Sequence, residues 1–300
     1  MAGPDYWRNI LVVVPIVGTS VATIVYLLRL SCRYLSGTHI KAEDILMGIG
    51  LFFTYGVTGC HVVRIQRHWR VHSNLPEHLR MRTALVAWLA QKFWPPAQVF
   101  VKTSIVIFLR RLLGTIDGFR HIATGVIVFS IVWGSTAIIG NTFQCWPPQY
   151  FFVKHIEGHC MAGQNIFFIV MGSLSLAEDV VILCLPMPVV WKLQMATRQK
   201  IEMTIIFSIG GLVCAFSLLR LIYFRKYRTD DISGTAALES IWTILELDVA
   251  IICGSILLIK PLFQACPHDQ QARLHLHRGK SRSVFRDPVG DMHHPDNGAE

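Results

Sequence analysis

Several charged residues stand inside apolar stretches of this sequence, where a charge is costly and therefore informative. A lysine at the centre of a membrane-spanning helix raises the free energy of insertion by about 2.5 to 3.5 kcal/mol. Such residues bind a ligand, carry a proton, or pair with an opposite charge on a neighbouring helix. The five candidate site residues are Lys102, Asp179, Arg220, Glu246 and Asp248.

The elements that must position these side chains are membrane-spanning helices. Charged residues make up 16% of the chain, against about 25% in soluble proteins, and the mean hydropathy is +0.45. Several apolar runs are long enough to cross about 30 Å of hydrocarbon. Barrel strands would instead give short alternating segments. We therefore predict an all-α, multi-pass protein in contact with lipid, in the plasma membrane or an endomembrane.

The hydropathy pattern predicts a bundle of seven transmembrane helices over residues 10–263. A short extracellular N-terminus, 1–9, precedes the bundle, and a polar cytoplasmic tail, 264–300, follows it and is predicted to be disordered. Pro95 and Pro96 predict a kink or an interruption in the third span, since proline lacks an amide hydrogen. The predicted spans are 10–30, 44–63, 84–110, 121–143, 165–190, 201–223 and 242–262.

Two cysteines decide the predicted orientation, because the arginines and lysines of the loops divide almost evenly between the two sides. Cys145 and Cys160 lie in the loop between the fourth and fifth spans. Disulfides persist on the oxidising side of a membrane. We therefore predict a disulfide between them, with this loop and the N-terminus outside and the C-terminus in the cytoplasm.

The depths of the charged residues predict which of them meet. Lys102 lies about 12 Å from the inner end of the third span, and Asp179 lies roughly 15 Å from the inner end of the fifth. Arg220, near the outer surface, can reach Glu246, about 10 Å below that surface, by snorkelling. We predict two polar layers, Lys102 with Asp179 and Arg220 with Glu246. Asp248 could join the outer layer, although residues two apart do not share a helix face.

These pairs have two interpretations that the sequence does not separate. They fix the packing of the helices, or one layer lines a pocket for a small ligand or a proton. The motifs of the common enzymes are absent, namely the serine elbow, the zinc-protease helix, the phosphate loop and the dinucleotide fingerprint. Catalytic residues therefore stay unknown, and an enzyme is not favoured.

Cofactor and nucleic-acid binding are not expected either. A retinal pigment needs a Schiff-base lysine within its last helix, whereas Lys260 stands at the inner end of the seventh span. The histidines are irregularly spaced, so no metal site is predicted. The net charge of +9 arises in short loops and the tail, a distribution that reports membrane topology rather than nucleic-acid binding.

Short motifs recur in order along the chain. They include an acidic pair before the second span, a Lys-x-Ser-Ile segment, the loop cysteines, an Asp with a Pro-x-Pro stretch, and a Trp with a Glu. Here these are Glu43-Asp44, Lys102-Thr103-Ser104-Ile105, Cys145 and Cys160, Asp179 with Pro186-Met187-Pro188, Arg220, Trp242, Glu246 and Cys253. Over residues 10–263 the chain resembles the fungal rhodopsin-like family of seven-helix integral membrane proteins.

The resemblance implies a fungal, multi-pass membrane protein but no particular reaction. The family includes receptor-like members and members encoded in secondary-metabolite clusters such as that for satratoxin. This chain departs from its pattern in lacking a Trp before the acidic pair and a Pro after Cys253.

Three functions are therefore open. The first is a receptor-like protein with a small-molecule ligand and a cytoplasmic signalling partner. The second is a membrane-embedded enzyme or accessory factor of a secondary-metabolite pathway, with Asp179, Glu246 or Asp248 as acid or base. The third is a transporter, which a broken third span would favour but which lacks an inverted repeat.

Overall fold

The protein is a bundle of seven long helices, as far as the described residues show. The computed structural model describes residues 4–69, 77–114, 118–153, 155–187, 197–225 and 239–257. The helices are α1 (Pro4–Leu35), α2 (Ala42–Trp69), α3 (Glu77–Leu113), α4 (Phe119–Thr142), α5 (Gln164–Cys184), α6 (Thr197–Arg225) and α7 (Glu239–Leu257).

This architecture confirms the predicted all-α membrane bundle. Because α1 begins at Pro4, most of the predicted N-terminal segment, 1–9, is helical. The predicted ends of the fifth and seventh spans and the tail, 264–300, lie outside the described residues.

Six of the seven described helices are long and apolar enough to cross a membrane by themselves, and α3 is not among them. Its place in the bundle explains how its polar residues are tolerated. Every side chain of α3 from Ala90 to Arg110 is buried or half-buried, and the helix packs against α2 and α4. The outward faces of α1 and α4 carry exposed apolar side chains, such as Val17 and Ile131, which suit contact with lipid. A helix shielded in this way tolerates polar residues that a lipid-facing helix does not.

The predicted interruption of the third span is wrong, because α3 runs through Pro95 and Pro96 without a break. Proline at position 95 leaves the carbonyl of Gln91, four residues earlier, without its helical donor. Asn141 of α4 supplies one, with its Nδ2 atom 3.2 Å from that carbonyl oxygen. A neighbouring helix thus replaces the missing backbone bond, as proline in a transmembrane helix requires.

The loop between α4 and α5 carries the only disulfide within the described residues. Strands β1 (Cys145–Trp146) and β2 (His159–Cys160) pair antiparallel, with Cys145 opposite Cys160 and their Cα atoms 3.9 Å apart. A 3₁₀ helix, Pro148–Phe151, lies between the strands. The predicted disulfide is confirmed. We call this end of the bundle, where α2, α4 and α6 end, the disulfide end.

The opposite end is held by arginines that contact the acidic pair at the start of α2. Arg29 Nε donates to Asp44 Oδ1 at 2.8 Å, and Arg33 Nη2 donates to Glu43 Oε1 at 2.9 Å. Both terminal nitrogens of Arg111 donate to Glu43, at 2.5 and 2.7 Å. The two carboxylates are fully buried. We call these five residues the arginine cluster; they join α1, α2 and α3.

Apolar packing between α2 and α3 is close because glycine stands at the contact. A Cβ atom added to Gly50 would lie 2.6 Å from Val101 Cγ2, well inside van der Waals contact. Small residues let membrane helices approach in this way. The largest buried apolar cluster includes Ala22, Met47, Val101 and Ile251 and therefore joins α1, α2, α3 and α7. These contacts hold α3 in the register that places Lys102.

The disulfide gives a test of the predicted orientation. If the disulfide end is extracellular, an impermeant phosphine reductant followed by an impermeant maleimide will label Cys145 and Cys160 in intact cells. Peptide mass spectrometry measures the labelling, and the exposed free thiol of Cys184, near the opposite end of α5, is the control that should be labelled only after lysis. Labelling of Cys184 but not of the pair in intact cells would reverse the orientation.

The arginine cluster should contribute substantially to stability. We expect Glu43→Gln to lower the free energy of unfolding by about 3 kcal/mol, because it neutralises the buried carboxylate that both Arg33 and Arg111 contact. The midpoint temperature of unfolding in detergent measures the loss. Glu157→Gln, at an exposed glutamate, is the matched control and should leave the midpoint unchanged. Equal midpoints for both variants would contradict a stabilising role of the cluster.

Candidate functional site

Lys102 lies at the centre of the bundle, 3% exposed, and is surrounded by groups from α5. Its Nζ atom is 2.8 Å from Asp179 Oδ1 and 3.1 Å from Glu178 Oε2. It also donates to the hydroxyl and the carbonyl of Ser175, each at 3.0 Å. Positions 175, 178 and 179 share one face of a helix. The ammonium therefore has four oxygen acceptors, which offsets its transfer from water.

Glu178 extends these contacts to α4. Its Oε1 atom accepts a hydrogen bond from the hydroxyl of Ser130, while Oε2 accepts from Lys102. Glu178 and Ser130 are both buried. A single glutamate thus connects α3, α4 and α5 through charge-assisted hydrogen bonds, which are roughly twice as strong as neutral ones.

A second ion pair joins α6 and α7. Arg220 Nε donates to Glu246 Oε2 at 2.7 Å. The other oxygen of Glu246 accepts from Gln98 Nε2 at 2.6 Å and from the Ser217 hydroxyl at 2.8 Å. Ser217 and Arg220 are three residues apart and share a face of α6. Since Glu246 is 1% exposed, its charge depends on these three donors.

Ser217 makes the two ion pairs one network, where the sequence predicted two separate layers. Its Oγ atom is 2.8 Å from Asp179 Oδ2 as well as 2.8 Å from Glu246 Oε1. A hydroxyl group carries a single proton, so it donates to one of these carboxylates at a time. We call Lys102, Glu178, Asp179, Ser217, Arg220 and Glu246 the central network.

Asp248 does not join this network. Its Oδ2 atom accepts a hydrogen bond from Thr19 of α1 at 3.3 Å, and Thr19 in turn lies 3.0 Å from the Thr58 hydroxyl. Its Oδ1 atom has no hydrogen-bond partner among the described residues. Gly18 leaves the room for this carboxylate, because an added Cβ would lie 2.5 Å from Asp248 Oδ2. Asp248 therefore belongs to the contact of α1 with α7.

A cavity of about 160 Å³ lies at the disulfide end, next to the central network. Arg220 is 7% exposed and lines it. The remaining wall comes from the adjacent parts of six helices, α2 to α7. Its apolar part includes Val57, Val86, Ala90, Met171, Leu221 and Phe224. Its polar part includes Cys60, His61, Arg64, Gln91, Asn141, Glu239 and Ser240.

Arg220 belongs to both the cavity and the network. Its Nε atom contacts Glu246, whereas its Nη2 atom has no hydrogen-bond partner within the part of the chain that is described. The guanidinium stacks on Trp94, 4.6 Å from the ring centroid, a cation–π contact that holds the side chain in place. Trp94 packs edge-on against Trp133, and Lys102 Nζ lies 5.9 Å from the Trp133 ring. A molecule in the cavity that contacts Arg220 thus contacts a member of the central network.

Sequence reasoning identified the charges of the network but missed several of its members. The structure brings Lys102 to Asp179 and Arg220 to Glu246, and it places Asp248 elsewhere. The missed members are Glu178 and Ser217. The sequence reasoning also missed Ser175, which accepts from Lys102, and Gln98 and Ser130, which donate to the network. The spacing of Ser175 and Glu178 before Asp179 is the signal that could have found two of them.

The described residues contain no group of three or more His, Cys, Asp or Glu side chains that could hold a metal ion. The oxygen-rich contacts of Lys102 are those of a buried ion pair.

Comparison with known proteins gives several relatives at low identity, among them the following three. Receptor GIN3 of Arthrobotrys oligospora is 25% identical over 267 residues, which cover 85% of this chain and 63% of that protein. A SAT4 family membrane protein of Emericella nidulans is 29% identical over 159 residues, 52% of this chain and 41% of that protein. Polyenoic acids biosynthesis gene cluster protein Ba17b of Metarhizium anisopliae is 26% identical over 290 residues, 88% of this chain and 76% of that protein.

The chain thus spans less than two thirds of the length of the first two relatives. No solved structure matches it. The model of the fungal rhodopsin domain matches residues 28–265, a range that holds α2 to α7, the disulfide, the central network and the cavity. The chain belongs to the fungal rhodopsin domain family of multi-pass membrane proteins.

Proposed function

We propose that this protein is a receptor-like membrane protein that senses a small molecule at its disulfide end. The observation that carries the proposal is the position of Arg220, which lines the cavity while its Nε atom is bonded to Glu246. A molecule that draws this guanidinium towards the cavity changes its bond to α7. The similarity to a protein named Receptor GIN3 supports the same function.

The central network provides a route from the cavity into the bundle. Glu246 is linked through Ser217 to Asp179, and Asp179 contacts Lys102. These groups lie on α3, α5, α6 and α7, so a changed hydrogen bond at Arg220 alters the energy of contacts among four helices. Coupling between two sites requires an element whose equilibrium both of them bias. In this proposal the element is Ser217, which can favour either carboxylate.

The opposite end supplies a surface for a cytoplasmic partner. Arg111 is 43% exposed at its side chain although it is bonded to Glu43, and Arg110 and Arg120 lie nearby in the sequence. Basic residues at this end suit an acidic partner. The arginine cluster ties α3 to α1 and α2, so a displacement of α3 reaches this surface.

A second function is supported by the name of one relative. Ba17b is named for a polyenoic acids biosynthesis gene cluster, which favours an accessory role in a secondary-metabolite pathway. As catalytic groups, Asp179 and Glu246 are poorly suited, because their oxygens already contact Lys102, Ser217, Gln98 or Arg220. An accessory or sensing role therefore agrees better with the geometry than acid–base catalysis.

The receptor proposal predicts that Ser217→Ala uncouples the cavity from the network. Cells with the wild-type gene, a deletion and the variant are given a panel of small molecules, and cyclic AMP and calcium are measured. We expect a response that is absent from the deletion strain. Ser217→Ala should raise the concentration of the small molecule needed for that response by about tenfold, which corresponds to a typical coupling free energy between two sites. Ser208→Ala removes an exposed hydroxyl of the same helix and should behave as wild type.

Two outcomes count against the proposal. One is a panel to which wild-type and deletion cells respond identically. The other is a response that Ser217→Ala and Ser208→Ala leave equally intact, which would separate sensing from the central network.

The accessory role predicts a metabolic phenotype. Deletion should change the amounts of secondary metabolites in culture extracts, measured by mass spectrometry, and Glu246→Gln should reproduce part of the change because it weakens the bond to Arg220. Glu157→Gln is the control. Unchanged metabolite profiles in the deletion strain would exclude this role.

A further inference from the structure

Several residues of the cavity wall at the disulfide end carry buried hydrogen-bonding atoms, donors and acceptors, that the described residues leave unpaired. Arg220 Nη2 and Trp94 Nε1 are buried N–H donors for which the described residues provide no acceptor. Asn141 Oδ1 is a buried acceptor to which no described residue donates, while the Nδ2 atom of the same amide donates to the Gln91 carbonyl. All three residues line the cavity. A buried polar atom left unpaired costs about 1–3 kcal/mol, so a ligand that pairs with these atoms gains that free energy.

His61 adds a second acceptor. Its Nε2 atom lies 3.1 Å from the carbonyl oxygen of Leu11, which can only accept, so Nε2 carries the proton. In the neutral imidazole Nδ1 is then an acceptor, and no described residue donates to it. His61 is 3% exposed and lines the cavity. The residues of the wall therefore carry two donors and two acceptors that the described residues leave unpaired.

The charges around the cavity disfavour a charged ligand of either sign. Arg220 is already neutralised by Glu246 at 2.7 Å, so a carboxylate ligand would compete with a bond that exists. A cationic ligand would face two arginines. Counted together, the charged side chains of the cavity wall and the central network are three cations and four carboxylates, a formal charge of −1: Arg64, Lys102, Arg220, Glu178, Asp179, Glu239 and Glu246.

The size of the cavity sets the size of the ligand. Its volume of about 160 Å³ is close to that of an engineered apolar cavity of roughly 150 Å³ that binds benzene. Much of the wall is apolar, including Val57, Val86, Met171 and Leu221. A single ring or a branched chain of similar size would fill it.

We propose that the cavity binds an uncharged, largely apolar molecule of about one ring in size that carries a hydroxyl group. A hydroxyl group both donates and accepts hydrogen bonds. It can therefore accept from Arg220 or Trp94 and donate to Asn141 or His61. The inference rests on the proposed function in taking this cavity as the ligand site, and it adds the chemical class of the ligand.

Four compounds that share one ring and differ in one substituent test this class. Benzyl alcohol, toluene, benzoate and benzylamine are added separately, at millimolar concentration, to the full-length protein in lipid nanodiscs. Cys60 is half-buried and lines the cavity, so its modification by a charged methanethiosulfonate, followed by peptide mass spectrometry, reports occupancy. The midpoint temperature of unfolding is measured in parallel as a second readout.

We expect benzyl alcohol to slow the modification of Cys60 and to raise the unfolding midpoint at about tenfold lower concentration than any of the other three. Trp94→Phe keeps the ring but removes one donor, and should reduce that preference severalfold. Trp88→Phe is the matched control, because Trp88 Nε1 is also unpaired among the described residues but lies outside the cavity wall.

Several results would overturn the inference. If benzoate or benzylamine bound more strongly than benzyl alcohol, the ligand would be charged. If toluene bound as strongly as benzyl alcohol, the unpaired polar atoms would not contribute to binding. No effect of any compound on either readout would show that the cavity is not a site for this class. This assay measures binding independently of any cellular response. A preference for benzyl alcohol in a protein whose cells respond to none of the small molecules would support this inference and contradict the receptor role.

Discussion

The structure depends on the neutralisation of one ammonium group in the interior of a membrane bundle. Lys102 has no access to water, and its charge is tolerated because α5 presents Ser175, Glu178 and Asp179 to it. This requirement fixes the rotation of α5 against α3, since a turn of α5 by one residue would move the carboxylates away. Removing one partner of such a pair leaves an uncompensated buried charge and is more damaging than replacing the pair.

The same contacts that stabilise the bundle make it responsive. Arg220 connects a cavity to Glu246, and Ser217 connects Glu246 to the carboxylates around Lys102. A rigid apolar contact would hold the helices equally well but would have a single arrangement. The Ser217 hydroxyl between two carboxylates has two hydrogen-bond arrangements, and both leave the heavy atoms nearly in place. The network therefore combines a structural role with a means of transmitting a small change.

Much of the fold could be predicted from the sequence, because a span reveals itself by length and hydropathy alone. The disulfide could be predicted because two cysteines share one loop. Partners inside the bundle were harder. Depth along a helix follows from residue number, which is why Lys102 and Asp179 could be paired, but rotation about the helix axis does not. Ser217 was missed because a serine in an apolar helix normally bonds to its own backbone.

The arginine cluster shows the same limit at the other end. Arg29, Arg33 and Arg111 are counted as topological charges when only the sequence is available, and Glu43 and Asp44 are noted as an acidic pair. Their contact depends on α1 and α2 being antiparallel neighbours, with Arg29 and Arg33 four residues apart on one face. Asp248 is the opposite case, because it lies near Glu246 in the chain yet faces α1.

The central, fully packed position of α3 has a consequence for how the protein is made. During translation Lys102 leaves the ribosome 76 residues before Glu178, so the ammonium reaches the insertion machinery before its counter-charges exist. A helix of this polarity partitions poorly into lipid by itself. It must remain beside α2 or within the translocation channel until α5 emerges. Insertion and tertiary assembly of this bundle are therefore one coupled process, rather than independent spans that associate afterwards.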